Sequence, residues 1–313
     1  MDRYYSLNQY CRDTFGEKIY RLSLNGGMTC PNRDGLLDVG GCTFCSEGGS
    51  GDFAANYNIS ISAQISEAKE RILAKTDCKK FIAYFQAYTN TYAPIEHLRR
   101  IFTEAINEPE IVALSIGTRC DCLPDEVLDL LEELNHIKPI WVELGLQTIH
   151  NSTHANLNTH TTVDQYDSAV LALSSRRISV ITHVILGLPG ETKEMMLETV
   201  KHVTSLSSIH VKSVSPHFGI KLQLLHVLKG TALATQYEET PFELFELEEY
   251  CDFVIDCLEI LPPTMVVHRL TGDGPRKLLV APLWSTDKKR VLNTISKRLK
   301  ERDTWQGRLQ KIL

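Results

Sequence analysis

Cys30-Pro31-Asn32-Arg33-Asp34-Gly35 and, four residues on, Gly40-Gly41-Cys42-Thr43-Phe44-Cys45-Ser46 set three thiols on one short stretch rich in Gly, Pro, Asn and Asp. Such residues make turns, so the stretch reads as a loop able to wrap its sulfurs around one object. It follows a strand-like run, Lys18-Ile19-Tyr20-Arg21-Leu22-Ser23-Leu24. A cubane iron–sulfur cluster takes one cysteine per iron, so three close thiols leave one iron open to another ligand. A structural zinc on the same thiolates, with Cys120 or Cys122 as the fourth ligand, is the alternative that the spacing leaves open. Disulfides suit the chain less well, because its nine cysteines are an odd number and its first residues carry no apolar secretory core.

The 313 residues suffice for one barrel-sized domain or two smaller ones. No apolar run approaches the length of a membrane span, so a cytoplasmic location without membrane contact is expected. Formal charge is −6 but uneven. Residues 238–259 carry only acids among their charged side chains, whereas Lys288, Lys289, Arg290, Lys297, Arg298, Lys300 and Arg302 make the final helix basic. That helix reads either as a solvated face or as a contact for an RNA backbone.

Beyond the cysteine loop, strand-like and helix-like runs alternate. Helical periodicity over 61–73 leads to the apolar run 81–85, and Pro94 opens a helix ending near Ile106. Then come 111–116 with 125–134, 140–146 with 163–173, and 178–186 with 193–206, and a last strand over 220–225. Six strands separated by helices imply right-handed βαβ units and a parallel sheet. Periodicity does not decide whether that sheet closes. The segment from His210 to Phe218 is longer than a simple connection needs and has no assigned role.

In such sheets the chemistry collects at the carboxyl ends of the strands. Polar residues fall there repeatedly: Gln86 and Tyr88 after strand two, Arg119 to Cys122 after strand three, Glu143 and Gln147 in strand four, Gly187 after strand five, Lys221 and Gln223 in strand six. The remaining cysteines, Cys11, Cys78, Cys251 and Cys257, read as core residues, and His160 as a loop histidine.

Cys42-Thr43-Phe44-Cys45 resembles the Cys-x-aromatic-Cys half of the radical S-adenosylmethionine (SAM) signature, with eleven residues instead of the usual three separating Cys30 from Cys42. Together with 85–91, 143–148, 187–192, 226–231, 268–275 and 281–285, it resembles the YtqA/YhcC group of radical SAM proteins, relatives of the radical domain of the Elongator catalytic subunit. The resemblance covers nearly the whole chain. It implies an α/β fold, a partial (β/α)6 TIM-like barrel over residues 1–237, with a C-terminal helical and strand extension over 238–313 packed on it. It implies a 4Fe-4S cluster on Cys30, Cys42 and Cys45 and S-adenosylmethionine across the upper rim. By the same resemblance Phe44 meets the adenine, Gln86 and Tyr88 the methionine amino group, and Glu143 and Gln147 the ribose and methionine. Ile185 and Gly187 pack on adenine, and Lys221 completes the rim.

The resemblance further implies an enzyme that takes hydrogen from the side chain of a tRNA wobble uridine through a 5′-deoxyadenosyl radical, fed by a cellular electron donor. The expected conversion is 5-carboxymethylaminomethyluridine to 5-aminomethyluridine. The anticodon loop is single-stranded there, so the base can be turned into a pocket. Tyr88, Tyr92, His268, Arg269 and Trp284 are candidates for the RNA surface. A radical enzyme acting on a small molecule or protein, and a non-catalytic iron–sulfur or zinc module, are the competing readings.

Overall fold

The computed structural model describes residues 3–49, 51, 54–210, 217–272 and 274–310; most of the 210–218 connection thus lies outside the described residues. The strands are β1 (Tyr20–Leu24), β2 (Phe81–Phe85), β3 (Ile111–Arg119), β4 (Ile140–Gln147), β5 (Ser179–Leu186), β6 (Phe218–Leu224), β7 (Val227–Leu228), β8 (Val266–Arg269) and β9 (Leu279–Ala281). The helices are α1 (Leu7–Phe15), α2 (Ile61–Leu73), α3 (Ile95–Asn107), α4 (Asp125–Asn135), α5 (Asn151–Asn156), α6 (Val163–Ser175), α7 (Lys193–His210), α8 (Ala232–Glu239), α9 (Leu247–Ile260) and α10 (Lys288–Glu301).

The main sheet runs β1-β2-β3-β4-β5-β6-β8, every neighbouring pair parallel. It is a curled half-barrel with helices outside. All six expected strands are present, and β8 adds a seventh from the C-terminal part of the chain. Strands such as β2 are buried at every position, as a sheet covered on both faces requires. Helix α3 buries Leu98, Ile101, Phe102, Ala105 and Ile106, a stripe at helical spacing laid against the sheet.

Two elements absent from the periodicity reading matter for the site. Helix α1 stops the amino-terminal end of the barrel: its Cys11 is buried with the strand residues Ile82, Ala113, Trp141 and Ile181, and Leu7, Tyr10 and Phe15 pack against them. That end is dry, so the cavity must open at the other. Helix α5 carries the chain from β4 into the turn at 157–161. Edge strands β1 and β8 are not paired with each other, but the backbone just before α1 bridges to β8 through Val267 N–H to Tyr5 O at 2.8 Å.

The acidic run and the basic final helix belong together. Arg298 pairs with Asp252, and Arg302 with Asp252 and Asp256 at 2.7 Å, joining α10 to α9. The arginines expected to meet an RNA backbone there are already neutralised.

Candidate functional site at the carboxyl rim

The floor of the main cavity is a buried charge network on β4. Gly117, Gly145 and other residues without large side chains leave room above it, while Glu143 is fully buried below. Its carboxylate accepts from Ser115 Oγ at 2.8 Å and pairs with Arg21 at 3.1 Å, with His183 Nε2 at 2.8 Å and with the buried Lys221. Burial pushes the Glu143 carboxyl up, but Lys221 and then Arg21 outweigh it and hold it well below the usual carboxylate range. Burial pushes His183 down to about 4, helped by Lys221, so its ring is neutral. Glu143 and Lys221 therefore meet each other first and present little unsatisfied charge to a ligand.

The cysteine loop forms the opposite wall, with Cys30, Cys42 and Cys45 all half-buried on the same cavity. Local hydrogen bonds set its path. Arg33 donates to the Cys45 and Ser46 carbonyls at 2.9 and 2.7 Å, and Gly41 N–H to Asn32 O at 2.7 Å. The turn after α5 clasps the loop from outside. Asn158 Nδ2 donates to Asp38 Oδ2 at 2.5 Å and Gly41 O at 3.1 Å. Asn32 Nδ2 returns a bond to Asn158 O at 2.6 Å, and Thr43 N–H reaches Leu157 O at 3.0 Å. Asn158 and His160 both have positive φ, 53° and 55°, a conformation that asparagine tolerates better than most residues. These clasping residues escaped the sequence reading; the paired Asn158 and His160 flanking Thr159 were their only trace.

Of the rim residues expected from sequence, Phe44, Gln86, Tyr88, Glu143, Gln147, Ile185 and Lys221 line this cavity. Gly187 does not: at φ 89° it turns toward Phe245, whose ring would lie 3.0 Å from an added Cβ. Tyr88 has its hydroxyl committed to Glu47 O at 2.7 Å, and its ring lies where a side chain on Gly49 would stand, so it holds the loop down. Cys120 and Cys122 line a separate groove with Tyr92 and Leu36. A zinc ion needs thiolates about 4 Å apart. Among the described residues no three His, Cys, Asp or Glu side chains gather as a single-ion site.

A second chamber adjoins the first, sharing Phe44, Gln86, Ile185, Gln223 and Arg269. Its outer wall is C-terminal: His226 beside Gly272 and Gly274, whose N–H donates to His226 Nδ1 at 3.1 Å. Burial, then Lys288 and Arg269, pushes His226 down to about 4. Of the residues named as candidates for the RNA surface, Tyr88 and Arg269 line these chambers, whereas His268 and Trp284 have partners of their own. His268 faces inward onto Trp141 and His217, Arg269 lines both chambers, and Trp284 donates to Phe245 O at 3.0 Å and packs on Tyr250.

Residues 30–203 match the Radical SAM superfamily and 218–301 the Radical SAM C-terminal domain. YtqA of Bacillus subtilis is 46% identical over 306 residues, covering 98% of this chain and 92% of its own. YhcC of Escherichia coli K12 is 36% identical over 271 residues, 86% of this chain and 84% of that one. A tRNA uridine(34) acetyltransferase of Methanocaldococcus jannaschii is 25% identical over 176 residues, 55% of this chain and 30% of its own length. Among solved structures, Elp3 of Methanocaldococcus infernus superposes with a TM-score of 0.68 at 18% identity, over 92% of this chain and 64% of that chain.

Proteins of this superfamily work with a 4Fe-4S cluster and SAM. The residues present fit that pair. Three thiols share one wall, and burial, then Cys45, pushes the Cys42 thiol up to about 12, so only a positive centre would draw it out as thiolate. Asn32 Oδ1 and Thr43 Oγ1, both in the cysteine loop, are buried without partners. Among the described residues no helix is long and apolar enough to cross a membrane. Motif, half-barrel and full-length relatives agree, and the chain is a radical SAM enzyme of the YtqA/YhcC group.

Proposed function

We propose that this chain removes the carboxymethyl group from 5-carboxymethylaminomethyluridine, or its 2-thio form, at the wobble position of tRNA, leaving 5-aminomethyluridine. The observation that carries the reading is the similarity of the radical part of the chain to a tRNA uridine(34) acetyltransferase. The two adjoining chambers support it, one walled by thiols and the other opening at the rim. In this reading Cys30, Cys42 and Cys45 hold the cluster, and Phe44, Gln86, Gln147 and Ile185 line the SAM site. Tyr88, Glu143 and Lys221 shape that site from loop and floor, and Gly187 takes no part.

When bound, the cluster and SAM supply a one-electron reductive cleavage whose carbon radical takes hydrogen from the methylene next to the carboxylate. Loss of the N–H proton and of one further electron, taken up by a one-electron acceptor such as the oxidised cluster or the oxidised electron donor, would give the imine, which water would split into the amine and glyoxylate. A cellular electron donor starts the cycle and tRNA presents its anticodon loop, both in the cytoplasm. The chain's contribution is partial enclosure: the apolar packing at the amino-terminal end of the barrel closes the site from below and leaves the rim as the way in.

Anaerobic reconstitution with iron and sulfide, then SAM, dithionite and tRNA carrying the carboxymethylaminomethyl group, tests this. Equimolar 5′-deoxyadenosine, glyoxylate and 5-aminomethyluridine are expected, and Cys30→Ser, Cys42→Ser and Cys45→Ser each abolish all three. SAM cleavage with unchanged tRNA would remove the substrate assignment and leave the radical chemistry.

A further inference from the structure

We propose that the polynucleotide docks on a cationic corner beside the second chamber, formed by Lys229, Arg276, Lys277 and Lys289. The inference rests on the tRNA reading and locates its binding surface.

The corner is built from three separate stretches of chain that tertiary contacts bring together. Leu228 and Pro275 line the second chamber, and the chain leaves that lip into Lys229 on one side and into Arg276 and Lys277 on the other. The two exits are tied: β7 and β9 pair antiparallel, and Lys229 N–H donates to Leu278 O at 2.7 Å. Arg276 Nη2 donates to Thr286 O at 2.7 Å, which anchors the turn against the residues that open α10, Lys288 and Lys289. Lys229, Arg276, Lys277 and Lys289 are all exposed.

What marks this corner is that cations from three stretches cluster on the lip of a cavity, with no acid paired to them among the described residues. Several cations elsewhere are matched, such as Arg99 with Glu133, Arg176 with Asp129, Lys193 with Glu249, and Arg298 and Arg302 with α9, while others such as Lys75 and Lys79 stand singly. Lys229, Arg276, Lys277 and Lys289 have no ion pair among the described residues. Asp287, the acid next to Lys288, is engaged as the cap of α10, accepting from Arg290 N–H at 3.0 Å. Leu283, 66% exposed, adds an apolar surface at the same corner. In a chain of net charge −6, four clustered cations with no ion pair among the described residues, on the lip of a cavity, suit phosphates flanking a nucleotide turned inward.

The test is binding of a fluorescent anticodon stem–loop RNA by anisotropy across a salt series. The variants are Lys229→Glu/Lys277→Glu, Lys289→Glu alone, and Lys75→Glu/Lys79→Glu as a charge-matched control at the amino-terminal end of β2. All are surface changes, checked by thermal unfolding. The corner double variant is expected to bind at least about tenfold more weakly, with the log–log salt slope shallower by about 1.5. Lys289→Glu should give a smaller loss, and the control pair should match wild type. Equal losses in corner and control variants, or unchanged binding in the corner variants, overturn the proposal while the tRNA reading stands. Wild type that fails to bind the RNA overturns both, and competition by polyglutamate as strong as by RNA assigns the corner to acidic protein instead.

Discussion

Arg21 on β1 and His268 on β8 meet inside the barrel at 2.7 Å, Nη2 to Nδ1, across the seam that the backbone leaves open. The guanidinium can only donate, so His268 Nδ1 accepts and its Nε2–H donates to His217 Nε2 at 3.1 Å. His217 then carries its proton on Nδ1, which is buried without a partner. The same arginine pairs with Glu143. A single side chain thus couples the seam to the floor of the site.

Removing the seam contact should weaken the fold measurably. His268→Leu is expected to cost about 1.5–3 kcal/mol, the range for a buried hydrogen bond to a charged group. Arg21→Leu should cost more, because Glu143 loses a partner as well. A double-mutant cycle in urea with coupling below about 0.5 kcal/mol would show that the two residues act independently.

Stability should depend on pH through the interior histidines. Burial, then Lys221, pushes His183 down to about 4; burial, then Arg21, pushes His217 down to about 3. Both stay neutral in the folded chain while the unfolded chain takes up their protons below about 6.5. The unfolded state then binds more protons, so stability falls as pH drops from about 6.5 toward 4. The slope is at most about 1.4 kcal/mol per pH unit for each ring. Urea midpoints at pH 7 and 5 measure it, and His217→Phe should flatten the dependence.

The Glu143–Lys221 pair offers an asymmetric test. Glu143→Gln leaves Lys221 and Arg21 as buried cations and is expected to cost about 3–5 kcal/mol. Lys221→Met leaves Glu143 still held by Arg21, Ser115 and His183, so it should cost less. The double variant should be less destabilised than the sum of the two. Equal single costs measured by chemical denaturation would contradict the network as described.

The clasp on the cysteine loop can be separated from ligand contact. Asn158→Gly keeps the positive φ and removes the bonds to Asp38 and Gly41; Tyr88→Ala removes the anchor at Glu47. Both should loosen the loop, seen as faster proteolysis of the apoprotein within residues 30–49 and lower iron content after reconstitution. Tyr88→Ala with full iron content and weakened SAM binding would instead make Tyr88 a ligand contact alone.

The sequence by itself determined what depends on local period and local chemistry. Apolar runs such as 81–85, each followed by a helical stripe, forced a parallel α/β sheet, because each strand needs a covering on both faces and each helix one dry side. Turn-forming residues around Cys30, Cys42 and Cys45 announced the loop, and polar residues at strand ends announced the rim. What only the tertiary structure decided involves partners distant in sequence. The four residues of β8 are too few to carry a period and become a strand only because β6 offers its edge. Asn158 and Asp38 lie 120 residues apart, so no spacing rule links them. Gly187 stands at the expected strand end, and only the fold shows Phe245 lying against it. The basic final helix looked free because the acids of α9 that neutralise Arg298 and Arg302 lie 46 residues upstream. Lys229, Lys277 and Lys289 form one corner only because β7, β9 and the start of α10 converge there.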